Sequence, residues 1–166
     1  MKVLHSWLAE YVPGLLDDPI GGDPDALGDV LSALGLCCEE VVRLGEGLDG
    51  IVVAEVLALS PHPDADRIQL VQVATEPLSS IDREPLQICC GAFNMSVGDL
   101  VPLATIGTTM PNGMEIAKRK LRGEWSNGML CSAREIGLGD DHDGILILGR
   151  ADGSSGAAPA PGTALT

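Results

Sequence analysis

The sequence predicts a mainly β fold, a small sandwich or barrel, preceded by two short helices. From Glu40 onward, apolar residues occur in short runs, and turn-forming pairs such as Gly98-Asp99 and Asn112-Gly113 separate these runs without a long intervening helix. The chain has 166 residues, 45% of them hydrophobic, which is enough for one domain with a substantial core. With only one Phe, one Tyr and two Trp, that core must be aliphatic.

Two helices are predicted before the β region. The first runs from Ser6 to about Val12, with Ser6 as its N-cap. The second has clearer punctuation, because Asp23 can cap it, Pro24 suits its first position and Gly35 ends it. Both carry too little apolar surface to stand alone, so we expect them to pack against another element.

The sequence predicts six strands and divides into three segments. The Asp64–Arg67 stretch is predicted to lie in a loop between the strands Ile51–Leu59 and Arg67–Ala74. The predicted strands are Glu40–Leu44, Ile51–Leu59, Arg67–Ala74, Leu86–Cys90, Leu100–Ile106 and Gly144–Leu148. Residues 1–38 would form a helical element and residues 39–150 the β domain. The tail, 151–166, is rich in Ala, Gly, Ser and Pro and is expected to be a linker or the start of a further domain.

Charge and cysteine content restrict the function classes. The formal net charge of −14 repels phosphate backbones and taken alone argues against a nucleic-acid partner. The few aromatic residues nearly exclude a surface of stacked rings. The five cysteines lack a C-x-x-C spacing, so we expect free thiols in a reducing compartment. Without a signal-peptide pattern or an apolar run of about 20 residues, the expectation is a cytoplasmic protein that does not enter a membrane.

The most informative charge feature is a basic segment at residues 118–122. It contains four of the ten Lys and Arg residues, among them Lys118, Lys120 and Arg122, and Arg134 follows shortly after. These side chains can neutralise several phosphates and give salt-dependent affinity. A solvated basic loop is the alternative interpretation.

The next segment, residues 126–132, combines polar and small residues. Ser126 and Asn127 offer hydrogen-bond partners for phosphate or ribose, and Gly128 permits a close backbone approach. The alternative is a structural corner in which Ser132 caps one helical turn.

Neither a metal site nor a catalytic centre is predicted. His62, Asp64 and Asp66 lie close together in sequence, but they equally suit a turn that caps its own backbone, and the acidic residues around His142 are open to the same two interpretations. Catalytic motifs such as the P-loop or G-x-S-x-G are absent from the sequence. A nucleophilic Cys131 would need a histidine base, which the sequence does not place beside it.

Several motifs in one order carry a family resemblance. They are residues 62–68 (HPDADRI), 88–94 (ICCGAFN), 101–107 (VPLATIG), 118–123 (KRKLRG), 126–132 (SNGMLCS) and 141–145 (DHDGI). Together they resemble the tRNA-binding OB-fold domain of bacterial phenylalanyl-tRNA synthetase β subunits, methionyl-tRNA synthetase tails and free-standing tRNA-binding proteins. The N-terminal stretch, residues 7–12 (WLAEYV) with 34–41 (LGLCCEEV), is similar to the start of the synthetase β subunit. One departure is Phe93, where the family usually has proline.

The resemblance implies an N-terminal piece of a longer subunit, folded as a five-stranded OB barrel and without catalytic residues of its own. The whole enzyme of the family is a ligase that attaches phenylalanine to tRNA with ATP and magnesium, in an α2β2 assembly with an α subunit and later β domains. No cofactor is expected within this piece. By the same resemblance, tRNA would be contacted by Lys118, Lys120, Arg122, Asn94, Ser126 and Arg134. A structural module that docks other domains and does not contact RNA is the alternative.

Overall fold

The chain forms two units, residues 1–43 and 44–166, in a computed structural model that describes residues 2–43, 47–76, 84–156 and 158–165. The unit boundary lies close to the predicted one at residue 38. The domain division proposed from the sequence remains a prediction about the intact protein.

In the first unit, helix α1 spans His5–Tyr11, a 3₁₀ turn spans Leu15–Asp17 and helix α2 spans Pro24–Ala33. The prediction of Ser6 as the N-cap of α1 is wrong, because Leu4 occupies the cap position and supplies no side-chain bond. The N-cap therefore lies two residues before the position that the polar side chain suggested.

Helix α2 has the predicted ends. The Asp23 carboxylate accepts the backbone N–H of Asp25 at 3.2 Å, Pro24 opens the helix, and Gly35 follows it with φ +92°. Arg43 pairs with Asp23 and with Asp25. Because Arg43 is engaged in this way, the region after α2 folds back onto the start of that helix.

The second unit is a mainly β, nearly closed five-stranded barrel, which confirms the predicted fold class. The strands are β1 Ile51–His62, β2 Ala65–Ala74, β3 Leu86–Cys90, β4 Asp99–Ala104, β5 Arg119–Leu121, β6 Glu124–Ser126, β7 Met129–Leu130 and β8 Gly149–Arg150. One antiparallel sheet has the strand order β3-β2-β1-β4-β7, and β8 also pairs with β4; β5 and β6 form a separate hairpin.

The segment from β6 to β7 closes the barrel between β3 and β4. Asn127 donates its backbone N–H to the carbonyl of Gln87 in β3 at 2.9 Å, and β7 then pairs with Leu103 and Ala104 of β4. The core inside is aliphatic, as expected. Its buried residues include Val56, Val71, Val73, Ile88, Val101 and Leu103 in one cluster and Leu48, Ile51, Met110, Ile116, Cys131 and Ile136 in a second.

Two predicted strands are wrong. Residues 40–43 do not form a strand; Leu44, the last residue of that prediction, lies outside the described residues. The Gly144–Leu148 stretch forms no ladder, and its backbone bonds to other strands and loops are isolated: Leu146 N–H donates to Cys131 O at 3.0 Å and Leu148 N–H to Leu100 O at 2.8 Å. Regular pairing starts later, at β8.

The predicted loop at Asp64–Arg67 is also wrong. Strand β1 continues through His62 and β2 begins at Ala65, so only residues 63 and 64 remain between them. Proline at position 61 does not stop β1, because a register shift next to it accommodates the ring.

The tail returns to the barrel. Val53 of β1 donates its N–H to Thr163 O at 2.9 Å and accepts the Gly162 N–H at 2.8 Å, while Ala164 forms a bridge with Val52. Composition gave no signal for this pairing, since the backbone makes it.

Candidate nucleic-acid interface

The basic segment folds into a β-hairpin, residues 118–126, which we call the basic hairpin. Its register pairs Arg119 with Ser126, Lys120 with Trp125 and Leu121 with Glu124. The two turn residues have positive φ, 46° at Arg122 and 100° at Gly123. This is the geometry of a tight two-residue hairpin turn, for which glycine is suited at the second position.

One face of the basic hairpin joins two lysines to an aromatic ring. The ammonium nitrogens of Lys118 and Lys120 lie 5.1 Å and 5.7 Å from the centroid of the Trp125 ring. Trp125 is 47% exposed, and both lysines are exposed. The sequence analysis missed Trp125; the Arg122-Gly123 pair, read as a two-residue turn, would have placed it opposite Lys120.

The opposite side of the basic hairpin is fixed to strand β3. The Ser126 hydroxyl accepts the Cys89 N–H at 3.0 Å and donates to Gly128 O at 3.0 Å. Gln87 donates its side-chain amide to the Glu124 carboxylate at 3.1 Å. Ser126 is buried, so in this structure its hydroxyl holds the hairpin and Gly128 in place.

A histidine ties the hairpin turn to the β1–β2 turn. The Asp64 N–H donates to Nδ1 of His62 at 3.1 Å, so the donor to Leu121 O, 3.0 Å away, is Nε2. Arg122 also donates to Asp64 O at 3.4 Å. In this structure His62 and the Asp64 backbone form a turn that also anchors the basic hairpin.

Asn94 serves a similar purpose in a second loop. Its side-chain nitrogen donates to Ile145 O at 2.8 Å, and its side-chain oxygen accepts the Ile145 N–H at 3.0 Å. These bonds connect the loop after β3 with the segment before β8, 51 residues later. The predicted role of Asn94 in RNA contact stays a prediction.

Arg134 borders an open cleft of about 780 Å³. Phe93, which is 61% exposed, Asn94 and His142 line the same cleft. Arg134 lies within a turn that Ser132 caps, as in the alternative interpretation of this segment. The Ser132 hydroxyl accepts the Glu135 N–H at 3.4 Å, and the Glu135 carboxylate accepts the Ser132 N–H at 2.7 Å.

The two groups of predicted residues border the same end of the sheet. Arg122 contacts the β1–β2 turn, and β2 starts there beside the end of β3. The loop that follows β3 carries Asn94, and Asn94 and Arg134 line one cleft. The structure therefore brings the six predicted residues into two adjoining groups, of which Ser126 and Asn94 are engaged in internal bonds.

The cations of the basic hairpin are available for a ligand. Among the described residues, the ion pairs involve Arg43 and Arg150, and none includes Lys118, Lys120, Arg122 or Arg134. The long-range field of the acidic chain still opposes an anionic ligand. Contact with phosphate would hence be short-ranged and local.

Other chemistry finds little support in the part of the chain that is described. Burial, with a smaller effect from Glu135, raises the pKa of the Cys131 thiol to about 12, and burial also raises the pKa of Cys89 and Cys90. Such thiols stay protonated at neutral pH and are poor nucleophiles. Within residues 2–43, 47–76, 84–156 and 158–165, three or more His, Cys, Asp or Glu side chains do not converge as metal ligands. None of the described helices is long and apolar enough to span a bilayer.

Comparison with known proteins places this geometry in a family. The family described as "Putative tRNA binding domain" matches residues 51–157. The phenylalanine–tRNA ligase β subunit of Nitratidesulfovibrio vulgaris is 46% identical over 148 residues, which are 89% of this chain and 17% of that protein. The same subunit from Anaeromyxobacter dehalogenans is also 46% identical over 148 residues, with the same coverage. The chain thus spans about one-sixth of the length of these relatives.

Proposed function

The chain belongs to the family of tRNA-binding domains that matches residues 51–157, and from this we propose that it contacts tRNA through the basic hairpin. The observation that carries the proposal is the exposed pair Lys118 and Lys120, which lack ion-pair partners among the described residues. Arg122 and Arg134 extend the contact toward the cleft. Asn94 and Ser126 would support this RNA contact by shaping the loops. Any of their polar atoms that can form a further hydrogen bond would also contact the RNA.

We further propose the setting of this module. The intact protein would be the β subunit of a phenylalanine–tRNA ligase, which attaches phenylalanine to its tRNA with ATP and magnesium in the cytoplasm. It would work with an α subunit in an α2β2 assembly and with later β domains, and the catalytic residues would lie outside this chain. The relatives and their coverage support this setting.

A purely structural module is the second candidate. It is favoured by the internal hydrogen bonds of Ser126 and Asn94 and by the net charge of −14. In that case the basic hairpin would dock another protein domain and tRNA would not touch it.

Fluorescence anisotropy with labelled tRNA tests the proposal. We would compare the wild-type chain, the double variant Lys118→Ala, Lys120→Ala, and the control Lys2→Ala, Arg43→Ala. Both variants lose two positive charges, so they change the long-range field equally. The control also removes the exposed ion pairs of Arg43 with Asp23 and Asp25, each worth at most about 1 kcal/mol. Thermal unfolding would verify that each variant is folded.

The salt dependence of binding measures how many phosphate contacts the two lysines make. The binding constant K decreases with salt, so the slope of log K against log salt is negative. If the lysines contact phosphates, this slope becomes less negative by about 0.7 to 0.9 for each contact that is lost. The control should keep the wild-type slope. Equal affinity and slope for the two double variants would contradict the proposal, and absence of wild-type binding at low salt would favour the structural module.

A further inference from the structure

We propose that Trp125 is a stacking platform for one unpaired nucleobase, with Lys118 and Lys120 holding the phosphates beside it. This inference rests on the proposed function and names the part of the RNA that the basic hairpin would recognise: an unstacked nucleotide, as in a loop or a single-stranded end. It also qualifies the expectation from composition, since one well-placed ring suffices for one base.

The orientation of Trp125 is the first argument. Its neighbours in β6, Glu124 and Ser126, turn toward β3, where they bond Gln87 and Cys89. Alternation along a strand directs Trp125 to the other face, and its ring is 47% exposed there. A large aromatic side chain thus stands on the outside of the barrel.

The two ammonium groups are the second argument. Both lie within the ~6 Å over which a cation interacts with a ring face. A phosphate bound to either lysine therefore brings its own base next to the indole. Base stacking on an aromatic ring is stronger than an exposed cation–π contact, so a nucleotide would draw the ammonium groups to its phosphates and place the base on the ring.

The Trp125 platform is also held in place by the fold. Ser126 and His62 fix the basic hairpin at both of its ends, through Cys89 and Leu121. A ring that needs no ordering on binding loses less entropy when a base stacks on it. Duplex RNA, whose bases are already stacked on one another, would gain no such contact.

The test uses the whole chain with three RNAs: a single-stranded oligouridine, a blunt-ended RNA duplex without unpaired nucleotides as the duplex probe, and tRNA. Trp7→Phe leaves Trp125 as the only tryptophan, so its emission reports on the ring directly. Two further variants probe the affinity. Trp125→Leu keeps an apolar side chain that can cover the hairpin, and Trp125→Phe keeps an aromatic ring.

We expect oligouridine to quench Trp125 emission at low salt and the duplex probe to leave it unchanged. Trp125→Leu should weaken oligouridine binding roughly 5- to 100-fold, and Trp125→Phe should restore most of it. Unaltered circular dichroism and thermal unfolding would separate this loss from misfolding. Should Trp125→Phe also unfold, the quenching in Trp7→Phe decides alone.

Failure of this inference is distinguishable from failure of the proposed function. If tRNA binds wild type and Trp125→Leu equally well and without quenching, the platform is refuted and tRNA contact stands. If oligouridine binds with quenching but tRNA does not bind, the platform stands and tRNA contact is refuted. Absence of binding for all three RNAs overturns both.

Discussion

The imidazole of His62 donates a hydrogen bond to the carbonyl of Leu121, 3.0 Å away and 59 positions later in the chain. The bond joins the turn between β1 and β2 to the tip of the basic hairpin. Because His62 is buried and its other nitrogen accepts the Asp64 N–H, the ring is fixed at both ends.

We expect His62→Ala to loosen the basic hairpin. The substitution leaves the Leu121 carbonyl and the Asp64 N–H without their partner, which should lower the free energy of unfolding by about 1–3 kcal/mol. Amide exchange in residues 119–126 should rise with it. His142→Ala is the matched control, because among the described residues that exposed ring makes a single long contact, to Asp140 O at 3.4 Å. Equal stability of the two variants would show that His62 does not anchor the hairpin.

Ser126→Ala should destabilise the barrel through β3. The buried hydroxyl serves Cys89 and Gly128, so its loss should lower the free energy of unfolding by about 1–3 kcal/mol in urea denaturation. Ser96→Ala, at an exposed position, should change little. If Ser126→Ala weakened tRNA binding at unchanged stability, Ser126 would be an RNA ligand and the scaffold role would be incorrect.

A substitution in the turn of the basic hairpin can separate the effect of charge on tRNA binding from the effect of the turn residue on stability. Arg122 has φ +46° and occupies the first position of the two-residue turn, before Gly123. Asparagine is the preferred residue at that first position. Arg122→Asn should therefore keep or raise the free energy of unfolding, by up to about 1 kcal/mol, while it weakens tRNA binding. Parallel losses of stability and affinity would contradict this separation.

Gly123→Ala tests the same turn from the other side. A side chain at φ +100° is strained, and we expect a cost of about 1–2 kcal/mol in thermal or urea unfolding. Gly139→Ala is the control, since a Cβ there has no atom within 4 Å and the backbone is not left-handed. An equal loss of unfolding free energy in the control would mean that the turn does not specifically require glycine.

Stability should fall in alkaline solution because of Cys131. Burial raises the pKa of this thiol from 9.0 to about 12, so between these values the unfolded chain releases a proton that the folded chain keeps. The stabilising contribution is complete below pH 9 and is lost as pH rises, by roughly 1.4 kcal/mol between pH 8 and pH 10. Cys131→Ala should flatten this slope in urea denaturation, and Cys37→Ala, at an exposed position, should keep it.

The central strands could be predicted from the sequence because their local signals agree. Leu86–Cys90 is predicted with both of its ends correct, since Pro85 precedes the apolar run and Gly91 follows it. Helix α2 likewise carries its own cap, breaker and first-turn proline. Such features act within a few residues, which is the distance over which a sequence pattern is informative.

Apart from the Arg122-Gly123 turn pair, the basic hairpin lacks local signals of this kind. Arg119–Leu121 is exposed along its whole length, so no apolar alternation marks it as a strand. Ser126 and Asn94 carry polar groups whose partners lie 37 and 51 positions away, and only the folded barrel shows that they bond to the protein. The residue types of the site were therefore predictable from the sequence, but their internal partners were not.

The tail that returns to β1 has a consequence for how the protein behaves in solution. The N–H and C=O of Val53 and the C=O of Ile51 are paired with residues 162–165, on the side of β1 away from β4. Removing those residues would leave an open strand edge, which is a template for another copy of the chain. By covering this edge of β1, the short tail protects the protein against aggregation. A protein shortened by these residues should associate through β1.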